Sequence, residues 1–454
     1  MRAERASLAE LGLLPDAASR WPLATWLDHT HAKPAHDALK RLIASPLGDL
    51  HELRSRQALL PQLAAVAPLV PWHELQTLAT QVARYLSSNV ELVPVTTIER
   101  AVFVVRYRDI VADVSQQLQA VDMLLRVSAQ VGSRIASITA DSTFAAVVDA
   151  FAAATQDSRG RQLRLAVERR NTMRLVGFAP VVRAKKMPAG HQGSNPIPFT
   201  AVLQSLIEAI WQLDAFCSLA SASAAIRGVV PEMVPRGAAP MMFEGIRHPL
   251  LPNGVPNDLP LAANERVLFL TGPNMAGKST LLRAIGIAAY CAHLGMAVAA
   301  RAAMVPLYDR LMVSITVRDN LQRGESLYLA EVRRVRAVVE AVVSGDAVVA
   351  IFDEVFRGTN IKDATQATSL LVDGLASASH GAFVIASHFA DVAAARTDHG
   401  GIACWRMEVD LAGDTPVFTH RVSRGVSDVH LGMMLLDAEG VGPMLRSMAA
   451  GMPA

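Results

Sequence analysis

Nine consecutive residues, Gly272-Pro273-Asn274-Met275-Ala276-Gly277-Lys278-Ser279-Thr280, have the spacing GxxxxGK[ST] of a phosphate-binding loop. Glycines let the backbone curl until successive N–H groups face an anion. A helix that starts directly after the loop adds the positive end of its dipole. Lys278 then stands where an ammonium meets β- and γ-phosphates, and the Ser279 hydroxyl where it ligates Mg²⁺. A short apolar run at 267–270 precedes the loop and a helix-like segment at 281–294 follows it, the context the chemistry needs.

A second group fits the first. The apolar run 347–352 ends in Asp353-Glu354. Such a run reads as a strand buried on both faces of a parallel sheet. Carboxylates at its C-terminal end sit where α/β sheets bind ligands. Asp353 would hold the Mg²⁺ shell, and Glu354 would position or deprotonate an attacking water, a role worth roughly 10²–10⁴ in rate.

The elements that position these groups divide the chain in two. Up to about residue 235 it reads as almost wholly helical, with apolar residues at three- and four-residue spacing over 72–86, 109–132, 133–156 and 200–228. Leu203, Leu206, Ile207, Ile210, Leu213 and Cys217 form one stripe of the last segment, a core or helix-pairing surface. A loop rich in Pro and Gly at 187–198 interrupts the helices, and a Pro-rich join at 230–240 marks the domain boundary. From Met241 onward strands and helices alternate, as in a doubly wound α/β protein.

With 454 residues, 51% of them hydrophobic, the chain can build two or three cored domains and is not of the disordered class. Its net charge of +2 selects no partner. Cys217, Cys291 and Cys404 form no CxxC pair, which points to a reducing compartment and away from a disulfide framework or zinc site. The N-terminus leads into no apolar signal core, and no stretch reads as a membrane span, so the expected location is cytoplasmic, with no membrane partner.

The loop interior Pro-Asn-Met-Ala resembles that of the MutS family of DNA mismatch-repair ATPases, GPNMxGKST. Gly245-Ile246-Arg247-His248-Pro249 is similar to the family's GRHP entry to the ATPase domain. The segment from Asp319-Asn320-Leu321 to Glu331 is similar to its DDLxxGxSTFxxE signature. Asp353-Glu354-Val355-Phe356-Arg357-Gly358-Thr359-Asn360 resembles DEIxRGTS, Ala386-Ser387-His388-Phe389 the ATHY/F strand end, and 425–432 the entry to a C-terminal helical dimer element. Trp26-Leu27-Asp28-His29-Thr30, with Pro46-Leu47 further on, looks like the start of the family's core (lever) domain, and Ala209-Ile210-Trp211-Gln212-Leu213-Asp214 like its late lever helix.

The resemblance implies a multidomain protein. A mostly α-helical core/lever domain at 1–235, with its clamp reduced or absent, precedes an α/β P-loop (ABC-type) ATPase domain at 236–454 that ends in a helical dimer element. It implies ATP and Mg²⁺ as cofactors. Gly272, Pro273, Asn274, Met275, Ala276, Gly277, Lys278, Ser279 and Thr280 would bind nucleotide, and Ser279 and Asp353 would hold the metal. Glu354, His388 and Lys278 would be catalytic, with His388 on the γ-phosphate side. Ser326 would meet the γ-phosphate of a partner subunit, a role compatible with an ordinary helix N-cap. The site is then composite and the active unit a homodimer through the ATPase domains, closed by ATP and released by hydrolysis.

The chain also departs from the family. The core motif starts near residue 26, so the mismatch-recognition and connector domains are expected to be missing, and no residue takes the mismatch-wedge role. Leu327 replaces the threonine after the signature serine, and Gly254 falls where the family often has an aromatic that stacks on adenine. Near the place of the DNA clamp, Arg159, Arg161, Arg164, Arg169, Arg170 and Arg174 belong to a basic run over 159–186 with Glu168 as its one acid. That run is either a phosphate-tracking patch or a solvated helical face. The expected function is a DNA-binding ATPase of repair or recombination, acting on DNA shape, backbone or branched structures, with other repair proteins as further partners. The competing expectation is an ATP-gated protein scaffold without direct DNA binding. A recombination-suppressing relative with a terminal nuclease-like Smr domain is disfavoured because the chain stops soon after the ATPase. A transporter ATPase is disfavoured because no LSGGQ-type signature is present.

Overall fold

The computed structural model describes residues 1–13, 23–87, 108–138, 141–155, 199–315, 327–411, 416–427, 436 and 439–449. The chain forms two compact units. One gathers Met1–Trp26, Ala44–Arg54 and Ala225–Ala454; the other gathers Leu27–Ile43 and Ser55–Ala224. This division differs from a single cut at 235, because the N-terminal residues group with the C-terminal strands.

The helical unit holds the helices Trp72–Ser87, Arg108–Ile135 and Ser142–Thr155, with Lys33–Ala44 up to Ile43, Leu50–Val66 from Ser55 and Phe199–Ala225 up to Ala224. Trp72–Ser87 buries Trp72, Leu75, Leu78, Ala79, Val82 and Tyr85, the three- and four-residue spacing of one apolar face. Phe199–Ala225 buries more than the expected stripe. Phe216, Leu219 and Ala220 are as deeply buried as Leu206 and Leu213, so this is a central helix of the bundle.

The expected break after residue 132 lies elsewhere. The helix runs on to Ile135 and the next begins at Ser142. Asp141 sets that start, since its Oδ1 accepts the Phe144 N–H at 2.7 Å in an N-cap bond. Its Oδ2 takes the Arg56 Nε–H, and both side chains are buried. The Arg56 guanidinium also lies 4.8 Å from the centre of the Phe216 ring.

In the other unit the strands are β1 Arg2–Ala3, β2 Glu232–Val234, β3 Met242–Ile246, β4 Asn257–Leu259, β5 Val267–Thr271, β6 Ala302–Pro306, β7 Arg310–Ser314, β8 Val348–Asp353, β9 Ala382–Ala386, β10 Ile402–Asp410 and β11 Val417–Arg424. Seven form one sheet in the order β1-β7-β8-β9-β5-β10-β11, parallel except for the β10–β11 hairpin. Four form a second, mixed sheet in the order β2-β6-β3-β4. The region from Met241 onward is thus α/β, but with a mixed sheet and a hairpin beside the parallel strands.

The central strands are apolar on both faces because helices cover both, and every residue of β5 and β9 is buried. One layer of the core contains Phe269, Phe352, Phe383, Leu371, Val372 and Leu375. The N-terminal segment braces the sheet edge. Ser7 Oγ accepts from Val313 N at 2.9 Å, and the Glu10 carboxylate takes Ile315 N at 2.5 Å and Arg334 Nη1 at 2.7 Å. Among the described residues no helix is long and apolar enough to cross a membrane. Cys217, Cys291 and Cys404 are buried, unbridged thiols.

Candidate nucleotide site

Strand register brings the candidate residues together. Asp353 on β8 pairs with Ala386 on β9, and Ala386 pairs with Leu270 on β5, so three strands end in one row. Neighbouring strands lie about 4.8 Å apart. The residues just past those ends, Glu354, Ser387-His388 and the loop from Gly272, therefore share one sheet edge. Backbone bonds hold the row, from Glu354 N to Ala386 O at 2.8 Å and from Ser387 N to Leu270 O at 3.0 Å.

The loop needs its glycines. Gly272 has φ +146°, and a Cβ there would stand 2.9 Å from Met407 Cβ. Gly277 has φ +106° and caps the helix Lys278–His293. Lys278, the first residue of that helix, is buried, and its Nζ donates to Gly272 O at 2.8 Å and Pro273 O at 3.1 Å. Burial lowers its pKa, an effect opposed by Glu354 and Asp353.

Ser279 Oγ donates to Asp353 Oδ2, whereas Asp353 Oδ1 is buried without a hydrogen-bond partner among the described residues. Burial raises the Asp353 pKa, and the Ser279 bond opposes it. An orphaned carboxylate oxygen beside a hydroxyl is a hard-oxygen donor set that suits Mg²⁺.

Glu354 has φ +53°, an uncommon conformation for a non-glycine residue. Its Oε1 lies 2.5 Å from His388 Nε2 and 3.9 Å from Lys278 Nζ, and its Oε2 takes Arg357 Nη1 at 2.9 Å. The His388 bond, reinforced by the charges of His388, Lys278 and Arg357, holds the carboxyl down at about 2. His388 Nε2 also lies 3.0 Å from Asn274 Oδ1 and so links the loop to the end of β9.

Beside the loop opens a cleft of about 450 Å³. Met275, Gly277 and Thr280 form its loop wall, and Arg247, His248 and Gly254 line it from the segment after β3. Sequence reasoning missed His420, which also lines the cleft. It sits on β11 at φ +57°, and its Nδ1 lies 3.0 Å from Ala276 O of the loop. Asn257 Nδ2 donates to its carbonyl at 3.1 Å. His420 belongs to no short motif, and only the β10–β11 hairpin brings it to the loop.

Glu331 is buried, and its Oε2 accepts from Gly358 N at 3.4 Å, joining the helix Leu327–Val343 to the segment after Glu354. Gly358 is required there, since a Cβ would stand 2.5 Å from Tyr328 N. Ser326, Arg159, Arg161, Arg164, Arg169, Arg170 and Arg174 lie outside the described residues. Of the 425–432 segment, 425–427 is described, and the helix Val441–Ala449 follows further on.

Fold and site define the class: an α/β unit whose glycine-rich loop joins a parallel strand to a helix, with acidic residues at the end of a nearby strand. Residues 268–449 match the family model for MutS domain V, the ATPase domain of that family. The DNA mismatch repair protein MutS of Petrotoga mobilis is 29% identical over 242 residues, 52% of this chain and 29% of that protein. Those of Granulibacter bethesdensis and Geobacillus thermodenitrificans are 31% identical over 209 residues and 26% over 245, covering 22% and 26% of their lengths. Residues 268–449 are thus similar to MutS domain V, and about half of the chain is similar to these MutS proteins. The chain spans less than a third of the length of these relatives.

Proposed function

We propose that the protein is an ATP- and Mg²⁺-dependent ATPase of the MutS type, a nucleotide-switched dimer that binds DNA through its backbone or shape, in repair or recombination. The reading rests on one observation above all. Lys278, the Ser279–Asp353 pair and the Glu354–His388 pair converge at the ends of three adjacent strands, beside a cleft of about 450 Å³.

The phosphates would lie along 272–280, where Lys278 exchanges its two carbonyl bonds for phosphate oxygens. Ser279 and Asp353 would hold Mg²⁺, which when bound neutralises charge on the phosphates. The cleft would seat the base, with His420 and His248 as its flat side chains in the absence of an aromatic at Gly254. Glu354, held by His388, Lys278 and Arg357, would position or activate the attacking water. His388, bonded to both Glu354 and Asn274, would sense the γ-phosphate.

Glu354→Gln should bind ATP and hydrolyse it roughly 10²–10⁴ slower. In sedimentation with ATP and Mg²⁺ it should accumulate as a dimer. Turnover near that of the unaltered protein would place water activation elsewhere, and a monomer under all conditions would refute the switch.

A further inference from the structure

Two non-glycine residues of one short turn share the left-handed region of backbone space. Glu354 has φ +53° and Phe356 φ +68°, with Val355 between them. A bulky side chain seldom adopts that conformation, and it persists only where the surroundings over-determine it. The turn directly follows β8 and carries the carboxylate that faces His388 and Lys278. Whatever fixes the turn therefore fixes that carboxylate.

One end of the turn is tied to the sheet, where Glu354 N donates to Ala386 O at 2.8 Å. The other end is tied to the helix Leu327–Val343. The buried carboxylate of Glu331 on that helix accepts from Gly358 N at 3.4 Å. Burial raises the Glu331 pKa, and the backbone N–H groups of Gly358, Arg357 and Phe356, with the charge of Arg357, oppose it. Successive N–H groups of such a turn make an anion-binding concavity, and here a side chain of the neighbouring helix fills it. Between the two ends, Phe356 is buried, and its ring packs on Tyr328 of the same helix with centroids 6.1 Å apart. The backbones approach closely as well, since a Cβ at Gly358 would stand 2.5 Å from Tyr328 N. Arg357 reaches back from the turn to Glu354 Oε2 at 2.9 Å.

We propose that Glu331 is a positioning residue for Glu354: seated among the N–H groups of the turn, it holds the left-handed backbone against the helix Leu327–Val343 and so aims the Glu354 carboxylate. This rests on the ATPase reading above, in which Glu354 positions or activates water. Gly358 is four residues from Glu354. A turn released at Glu331 relaxes toward the backbone angles that Phe356 prefers, and the Glu354 side chain swings with it. A misplacement of about 1 Å can cost on the order of 10² in rate. Phosphates would lie along 272–280, at the end of another strand, so the loss falls on kcat and not on nucleotide affinity.

ATP hydrolysis, followed in single turnover for slow variants, and the affinity of a fluorescent ATP analogue, both with Mg²⁺ on the full chain, test this. Glu331→Ala should slow hydrolysis about 10- to 100-fold and leave analogue affinity within about threefold. Gly358→Ala, which pushes the turn off the helix and keeps every carboxylate, should repeat that pattern, and it carries the test should Glu331→Ala not fold. In a Glu354→Gln background neither substitution should slow hydrolysis by more than about twofold, because the carboxylate they position is gone. A loss of about tenfold repeated in that background, or an analogue affinity that falls as far as the rate, would make Glu331 a general support of the fold and overturn the proposal. If Glu354→Gln is slow while Glu331→Ala and Gly358→Ala hydrolyse ATP normally, Glu354 keeps its role and its positioning by Glu331 falls. If the unaltered protein hydrolyses no ATP, or Glu354→Gln is as fast as the unaltered protein, the reading of the site fails and this proposal with it.

Discussion

Acid should destabilise the unit that carries the phosphate loop, and His293 gives the reason. It is the last residue of the helix Lys278–His293 and fully buried. Its Nδ1 faces Ala289 O at 2.8 Å, which only a protonated Nδ1 can satisfy, and its Nε2 accepts Tyr308 N at 3.0 Å. A second proton would have to enter at Nε2, against an N–H and away from water. Burial therefore lowers its pKa from 6.5 to about 4, although the Ala289 bond works the other way. The unfolded chain binds the proton more readily, so stability falls as pH drops below 6.5 and levels off below about 4. The loss amounts to about 2 kcal/mol by pH 5 and about 3 kcal/mol by pH 4. His248, also buried and held near 4 by burial and then by the charge of Arg283, adds a similar amount. Urea unfolding at pH 7.5, 6 and 5 of the unaltered protein and of His293→Met isolates the effect, since carboxylates that titrate alongside cancel in the difference. His293→Met should be less stable at pH 7.5 by about 1–3 kcal/mol, because Tyr308 N loses its acceptor. It should lose only about half as much on acidification. An unchanged loss between pH 7.5 and 5 would show that His293 is not the titrating group.

Arg56→Met leaves Asp141 buried without its cation and should cost about 3–5 kcal/mol in urea unfolding of the helical unit. Adding Asp141→Ser, which keeps an N-cap and removes the charge, should restore much of that, and a loss under 1 kcal/mol in the single variant would contradict the pairing. Asp353→Asn removes the charge of the orphaned oxygen and should weaken Mg²⁺ affinity at least about tenfold in a Mg²⁺ titration of ATP hydrolysis, with metal-free nucleotide binding little changed. Gly272→Ala should cost about 1–3 kcal/mol of thermal stability through its φ of +146° and the Met407 contact, and an unchanged melting temperature would mean that the loop relaxes freely.

The candidate site was legible in the sequence where its residues follow local spacing. The loop, the apolar strands and the Asp353-Glu354 pair are short motifs whose residues are neighbours in the chain, and the register of β5, β8 and β9 aligns them. What escaped depends on distant segments. His420 reaches the loop only through the pairing of β10 with β11. The N-terminal segment reads as part of a helical domain, yet Ser7 and Glu10 bond to the sheet edge about 300 residues away in sequence. The break before Ser142 was invisible to periodicity because alanine-rich sequence favours helix on both sides, and Asp141 is recruited to Arg56 by tertiary contact.

The proposed function is a nucleotide switch acting on DNA. Its most direct test is the anisotropy of Glu354→Gln with labelled homoduplex, mismatched, single-stranded and four-way-junction DNA, with and without ATP and Mg²⁺. Binding at low salt should change when ATP and Mg²⁺ are added, with branched or backbone-accessible DNA held at least as well as mismatched duplex. Absence of binding to all four, with ATP still bound, would contradict it and favour a nucleotide-gated scaffold for proteins.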